Sequence, residues 1–226
     1  MCSEATFHGT ESKSERNRGI LMKALFRILK PLRNFKSTYE RSQKTSYSQC
    51  GEDIIIDFIL KNLKVDKPIY MDIGAHHPFK FSNTALFYES GCQGVNIEPD
   101  PDLFKLFEKY RKNDINLNIG ISDKPGELLF YIMSSQTMNT FSMQEAEDLV
   151  LNHGFVITNK VKVPVDTISN VVEEYLNGIN VDILFIDVEG LELQIFHNPH
   201  PSPNSHLIIF SFNNVPTSTT IIQFKD

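Results

Sequence analysis

Two acidic residues, each at the end of a short apolar run, are the first candidates for chemistry. Asp72 precedes Gly74 in the run 70–75, and about two dozen residues later Glu98 closes the run 94–98. If these runs are neighbouring parallel strands, their carboxyl ends lie side by side at the topological switch point, where ligands bind. Gly74 then lets the backbone approach a ligand closely, and Glu98 can accept hydrogen bonds from both hydroxyls of a ribose. The pair predicts a site for a nucleoside-type cofactor.

The loop after Asp72 discriminates between two such cofactors. A dinucleotide needs a G-x-G-x-x-G turn whose backbone amides hold the pyrophosphate, whereas residues 74–79 contain one glycine, two histidines and a proline. A nicotinamide-dependent oxidoreductase is therefore only the third hypothesis. The negative charge of Asp72 suits the cationic ammonium group of a bound methionine moiety, directly or through water. This combination favours S-adenosylmethionine as the cofactor.

Alternating elements must position these residues. Periodicity predicts helices over 54–63, 82–90, 102–112, 143–152 and 168–176, and strands over 69–73, 95–98, 115–121, 162–165, 181–186 and 206–212. The run 128–133, after a turn signal at 123–126, predicts a short antiparallel addition. The order predicts an α/β fold with a mainly parallel sheet covered by helices on both faces.

Five blocks in series resemble the FkbM-type methyltransferase family. They are Ser48–Asp53, Asp72–Pro78, Ser82–Thr84, Asn96–Pro99 and Asp187–Gly190. The resemblance runs from about Ser48 to about Phe196. It implies a class I methyltransferase, a Rossmann-like doubly wound sheet, with S-adenosylmethionine as methyl donor. It also implies, typically, O-methylation of a hydroxyl on a small molecule, sugar or glycan.

The resemblance assigns cofactor-binding roles to matching positions. Asp72, Gly74 and Ala75 match the first cofactor-binding block, and Glu98 matches the ribose-binding acid.

Further positions match more loosely. Ser122 and Asp123, just past the third predicted strand, fall where class I enzymes contact adenine. Glu52 and Asp53 match a block that could close over the methionine end of the donor. Alternatively they simply form a helix N-terminus, with Ser48 as its cap.

Candidate catalytic residues follow the apolar run that ends at Ile186. Asp187 and Glu189 could both face the cleft, where desolvation would raise a carboxylate pKa toward that of a useful base. His77 could also act as the base, or it could have a structural or substrate-orienting role. Ser82–Thr84 predicts the N-cap of the next helix. A histidine of the loop, His76 or His77, could instead join Asp187 and Glu189 in holding a divalent cation, but no spacing of His, Cys, Asp or Glu resembles a metal motif, so we expect no metal site.

Charge divides the chain of 226 residues into two regions. Residues 1–45 carry ten Lys/Arg against four Asp/Glu, whereas the remainder carries twelve against twenty-four. We expect a disordered tail at 1–18, a basic amphipathic helix and linker at 19–45, and a methyltransferase-like domain at 46–226. The stripe at 19–35 could dock on the domain, on a second subunit in a homo-oligomer, or on an anionic membrane surface.

Composition also limits partners and compartment. The acidic domain has no extended basic stripe, so we expect no nucleic-acid binding. Three cysteines without zinc or disulfide spacing predict reduced thiols, and no run is long enough to span a bilayer. We expect a cytoplasmic protein, either free or peripheral to a membrane.

The last segment departs from the expected pattern. After Leu193, residues 198–203 break any helix with three prolines, and one further strand is predicted before the chain stops. This leaves open whether the sheet is truncated at its C-terminal edge. A non-catalytic binding or scaffold protein with the same fold is therefore the alternative to an active methyltransferase.

Overall fold

The computed structural model describes residues 44–179, 181–187 and 208–211, the last by backbone alone. The predictions for 1–18, for the amphipathic segment 19–35, for Glu189 and for the proline-rich segment 198–203 lie outside the described residues.

The described elements alternate between helix and strand. In chain order they are α1 (Glu52–Asn62), β1 (Tyr70–Ile73), α2 (Ala85–Glu89), β2 (Gly94–Ile97), α3 (Pro101–Tyr110), β3 (Ile115–Leu117), β4 (Gly120–Ile121), β5 (Gly126–Met133), α4 (Met143–His153), β6 (Ile157–Asp166), α5 (Ile168–Leu176), β7 (Ile183–Ile186) and β8 (Ile208–Ser211). A 3-10 turn, Gln136–Met138, lies between β5 and α4. No helix in the described part is long and apolar enough to cross a membrane.

The main sheet has five strands in the order β3-β2-β1-β7-β8. All four pairings are parallel, with Tyr70 opposite both Gly94 and Ile183. This confirms the predicted mainly parallel α/β sheet and places β1 beside β2. The strand order reverses between β1 and β7, so the topological switch point lies there and not between β1 and β2 as predicted.

A second sheet corrects the predicted third strand. The run 115–121 is two strands, because β3 joins the main sheet while β4 pairs parallel with β6. Between them, the side-chain amide of Asn118 donates to the carbonyl oxygens of Glu98 at 2.8 Å and Pro99 at 3.0 Å. The chain leaves the main sheet at this residue. β5 is antiparallel as predicted, but it pairs with β6 in the sheet β4-β6-β5 rather than adding to the main sheet.

The two faces of the main sheet are covered by different elements. Alternate strand positions place one set of side chains on each face. One face packs against α5 through a fully apolar cluster, which includes Met71, Ile73, Val95, Ile97, Ile168, Val171 and Val172. The other face packs against α1 and α2 through Ile56, Leu60, Tyr70, Phe87, Ile183 and Phe185.

The α1–α2 face also carries a polar row across three strands. Asp72, Asn96 and Asn116 are register partners on β1, β2 and β3. The Asn96 amide nitrogen donates to Asn116 Oδ1 and to Asp114 Oδ2, each at 2.9 Å. Polar side chains at these strand positions cost burial free energy, so their partners decide whether the sheet is stable.

Gly94→Ala tests how closely β1 and β2 approach. A Cβ at this position would overlap the ring and carbonyl oxygen of Tyr70, and both groups are fixed in the core. We expect the substitution to lower the free energy of unfolding by about 1–3 kcal/mol, measured by urea denaturation. In the control Gly126→Ala, the new Cβ meets Val165 Cγ2 at 4.0 Å. The control should stay within about 0.5 kcal/mol of the parent, and equal losses in the two variants would contradict the packing argument.

Candidate functional site

The loop after β1 folds across the carboxyl end of β2. Gly74 has φ 78°, and the amides of Gly74 and Ala75 both donate to the Ile97 carbonyl oxygen, at 2.9 and 3.1 Å. His76 also lies in the left-handed region, at φ 56°, and its amide donates to Glu98 Oε2 at 2.7 Å. The loop therefore connects the two strand ends that the sequence identified as a pair.

Glu98 is the hydrogen-bond acceptor around which this loop is built. Its second carboxylate oxygen accepts the Asp100 amide at 2.8 Å, and only 5% of the residue is exposed. Burial raises the pKa of Glu98 to about 8, although the backbone amides of Asp100 and His76 oppose the rise. A carboxylate has about four lone-pair sites, so two remain for a ligand.

Asp100 links this position to the second sheet. As the N-cap of α3 it accepts the Asp102 amide at 2.8 Å, with Pro101 at the first helical position. Its other oxygen accepts the side-chain amide of Asn139 at 2.9 Å, and Asn139 Oδ1 in turn accepts the Met133 amide. The segment after β5 is thereby attached to the residue two positions beyond Glu98.

The side chain of Asp72 is hydrogen-bonded by Thr84, the residue that precedes α2. It is 3% exposed, and its Oδ2 accepts the Thr84 hydroxyl at 2.9 Å. Burial raises the pKa of Asp72 to about 6, whereas the Thr84 hydrogen bond and the charge of Arg111 lower it. The predicted cap block is divided between two roles, because Ser82 Oγ accepts the Ala85 amide and Thr84 makes no side-chain cap bond.

Arg111 is the main residue that sequence reasoning missed. Its guanidinium is fully buried and donates to the Pro78 carbonyl oxygen at 2.8 Å, to Thr84 Oγ1 and Tyr70 Oη at 3.1 Å, and to Asp114 Oδ2 at 2.9 Å. We call Arg111, Asp114, Tyr70, Thr84 and Asp72 the Arg111 network. At the end of an amphipathic helix, an arginine resembles an ordinary charge that complements the helix dipole, so only the tertiary structure shows its role.

The imidazole of His77 accepts hydrogen bonds from its own loop. His77 Nδ1 accepts the amides of Phe79 at 3.1 Å and Lys80 at 3.0 Å. Burial and the charge of Lys80 lower the pKa of both His76 and His77, and the charge of His77 lowers that of His76 further. These bonds fit the structural alternative for His77, and its role as a base stays a prediction.

Asp53 is fully buried and binds a segment of its own chain. Its two carboxylate oxygens accept the Ser46 hydroxyl at 2.7 Å, the Ser48 hydroxyl at 2.9 Å and the Tyr47 amide at 2.7 Å. Gly51, at φ 89°, is the N-cap of α1 rather than Ser48. These contacts support the helix N-terminus interpretation for Asp53.

Glu52 has a similarly local partner. Its carboxylate accepts the amide of Cys50, two residues earlier in the chain, at 2.9 Å. Glu52 therefore also supports the N-terminus interpretation, and its role toward a donor stays a prediction.

Ser122 and Asp123 follow β4 and thus lie at the second sheet. The Ser122 amide donates to the Asp166 carbonyl oxygen at 2.9 Å, and its hydroxyl donates to Asp123 Oδ1 at 3.1 Å. The predicted adenine contact assumed that they end a strand of the main sheet, which is not the case. Their cofactor role stays a prediction.

Asp187 lies at the switch point beside the loop that follows β1. Its amide donates to the Ile73 carbonyl oxygen at 2.9 Å, so it directly neighbours the carboxyl end of β1. Asp187 is exposed, Glu189 lies outside the described residues, and the catalytic role of both stays a prediction. Among the described residues, no group of three or more His, Cys, Asp or Glu could hold a metal ion.

A parallel α/β sheet with acids at the ends of adjacent strands defines a Rossmann-like protein. A family model described as the methyltransferase FkbM domain matches residues 72–215. The chain therefore belongs to the FkbM methyltransferase family. No curated protein and no solved structure gives a significant match.

The extent of the family match changes two expectations. It begins at Asp72, so the block Ser48–Asp53 lies before it. It continues past β8 to residue 215, so the expected end of the similarity near Phe196 is wrong.

Asp53→Asn tests the contact with Ser46–Ser48. We expect a loss of about 1–3 kcal/mol in the free energy of unfolding, since the neutral amide weakens charge-assisted bonds and faces a donor. The matched control is Asp57→Asn, one turn along α1, where the carboxylate pairs with Lys61 at 2.6 Å on the surface. That pair should contribute at most about 1 kcal/mol, and equal shifts in urea midpoint would contradict the structural role of Asp53.

Glu98 should make stability depend on pH. Because burial raises its pKa from 4.5 to about 8, the folded protein binds a proton in this range that the unfolded chain has released. The free energy of unfolding should therefore fall as pH rises from about 5 to about 8. Because the pKa of Asp72 is also raised, to about 6, Glu98→Gln should remove chiefly the part of the decline between about pH 6 and about pH 8. Parallel urea-denaturation profiles for parent and variant in that range would show that the prediction is wrong.

Proposed function

We propose that this member of the FkbM family is an S-adenosylmethionine-dependent methyltransferase that transfers the methyl group to a hydroxyl of a small molecule, sugar or glycan. The observation that carries the proposal is how the loop after β1, residues 74–80, uses its amides. We call this segment the donor loop. Five of its N–H groups, those of Gly74, Ala75, His76, Phe79 and Lys80, are already donated within the loop or to the end of β2.

This use of the amides disfavours a dinucleotide. Pyrophosphate binding depends on free backbone N–H groups at a glycine-rich turn and a helix N-terminus. Here those donors are committed to Ile97, Glu98 and His77, and α2 has only five residues. A nucleoside without a pyrophosphate makes no such demand. The nicotinamide hypothesis is therefore weaker on the structure than on the sequence.

The acidic residues fit the two polar ends of S-adenosylmethionine. Glu98 has two lone-pair sites left after binding the His76 and Asp100 amides, the number needed for the two hydroxyls of a ribose. Asp72 supplies negative charge at the end of β1 for the methionine ammonium group, and its small exposed fraction suits contact through one oxygen or one water. Gly74, which has a positive φ and no Cβ, lets a ligand approach the backbone between these two acids closely.

Transfer itself asks little covalent chemistry of the chain. S-adenosylmethionine supplies an electrophilic methyl group on a sulfonium centre. Because an in-line displacement depends on alignment, much of the rate can come from holding donor and acceptor in place. Asp187, next to the end of β1 at the switch point, is the described carboxylate best placed to take the acceptor hydroxyl proton.

Donor binding is tested by calorimetry with S-adenosylmethionine and its demethylated product. We expect Glu98→Ala to weaken both by about tenfold or more, since it removes the hydrogen bonds to the two ribose hydroxyls. Glu108→Ala, an exposed acid on α3, is the matched control and should bind like the parent. A well-folded parent chain that binds neither ligand would exclude the proposed function.

Transfer is tested with labelled donor and a panel of hydroxyl compounds. Asp187→Asn should lower the transfer rate by about 10²–10⁴-fold, the usual contribution of a general base, while donor affinity stays near that of the parent. Asp66→Asn, exposed in the loop before β1, serves as the control for the loss of one surface acid. Donor binding without transfer to any acceptor class would instead support a non-catalytic binding or scaffold protein.

A further inference from the structure

The Arg111 network contains a hydrogen-bond relay with a fixed direction. A guanidinium can only donate, so Thr84 Oγ1 must accept from Arg111 Nη2 at 3.1 Å. The hydroxyl hydrogen is then left for Asp72 Oδ2, at 2.9 Å. The Arg111 guanidinium, just after α3, is thus linked to the Asp72 carboxylate on β1 through the oriented Thr84 hydroxyl.

The remaining N–H groups of Arg111 hold the guanidinium in place. Asp114 accepts Arg111 Nε and also the Tyr70 hydroxyl, at 2.9 and 2.7 Å, which anchors the guanidinium to the sheet. The bond to the Pro78 carbonyl oxygen, at 2.8 Å, anchors the donor loop to the same group. The ring of Tyr88 lies against the guanidinium carbon, with its centroid 4.4 Å away. The donor loop, the start of α2 and the main sheet are therefore all hydrogen-bonded, directly or through Asp114, to the Arg111 guanidinium.

We propose that Thr84 and Arg111 are positioning residues for the methyl donor, because their relay keeps Asp72 an oriented carboxylate beneath the donor loop. The inference rests on the proposed function, since it assigns Asp72 to the cationic end of S-adenosylmethionine. It adds two residues that touch no ligand themselves. Their effect reaches the donor only through Asp72.

The surroundings of Asp72 explain why it needs such support. Burial alone favours the protonated form, and the charge of Asp114 acts in the same direction. The Thr84 hydroxyl and the Arg111 cation act against protonation and hold the pKa of Asp72 near 6. Without the hydroxyl, protonation would extend toward neutral pH and cancel the attraction for an ammonium group.

The test compares S-adenosylhomocysteine with adenosine, each titrated against the full chain from pH 5.5 to 8. Both ligands carry the ribose that Glu98 is proposed to bind, but only the first carries the ammonium group. The ratio of their affinities therefore reports on the amino-acid end of S-adenosylhomocysteine, and it is independent of the fraction of protein folded. The ligand's ammonium and carboxylate groups both stay charged over this pH range, so a difference in pH profile between parent and Thr84 variant reports on the protein. The variants are Thr84→Val, which keeps the shape but loses the hydroxyl, and Thr84→Ser, which keeps the hydroxyl.

In the parent, the ratio should fall as pH drops through about 6, where Asp72 becomes protonated. Thr84→Val should move this fall upward by about one pH unit, the effect of one bond to a charged group, so the ratio should be about threefold lower near pH 6.5 and close to tenfold lower near pH 5.5. Thr84→Ser should restore the parent profile. If Thr84→Val follows the parent profile while the parent binds both ligands, the relay is overturned and the function stands. If the parent binds neither ligand, the proposed function fails first.

Discussion

The buried Arg111–Asp114 ion pair is the interaction on which the rest of the site depends. Both side chains are fully removed from solvent, and their nitrogen and oxygen atoms lie 2.9 Å apart. Removing one partner of such a pair typically costs about 3–5 kcal/mol, because the other charge stays buried without compensation. Here Arg111 also binds the Pro78 carbonyl oxygen in the loop after β1 and the Thr84 hydroxyl before α2, so loss of the pair would also displace the loop and the helix start at the candidate site.

The sequence predicted the architecture better than its boundaries. The elements of the parallel sheet were correct because buried runs such as that ending at Ile186 and amphipathic runs such as α5 have unambiguous periods. The strand at 115–121 was predicted whole because nothing local shows that Asn118 turns to the carbonyl groups after β2. The switch point was misplaced because it depends on how distant strands pair.

The site was predictable where strand ends carry acids and not where side chains meet across the fold. Asp72 and Glu98 follow apolar runs, and their placement beside one another needs only adjacent strands. Arg111 and Asp53 appear in sequence as ordinary residues of helix ends. The role of Arg111 depends on partners distant in the chain, such as Pro78, and that of Asp53 on the segment that precedes α1. Burial of a charge is decided by what covers it, which local patterns do not contain.

The bond between Asp100 and Asn139 ties the tolerance of one segment to substitution to the stability of a distant helix. One carboxylate both caps α3 and holds the segment after β5, at 2.8 and 2.9 Å. Replacing this segment would also change the surroundings of the cap beside Glu98. An altered segment must therefore retain an amide donor at position 139 or leave one oxygen of the cap without this partner.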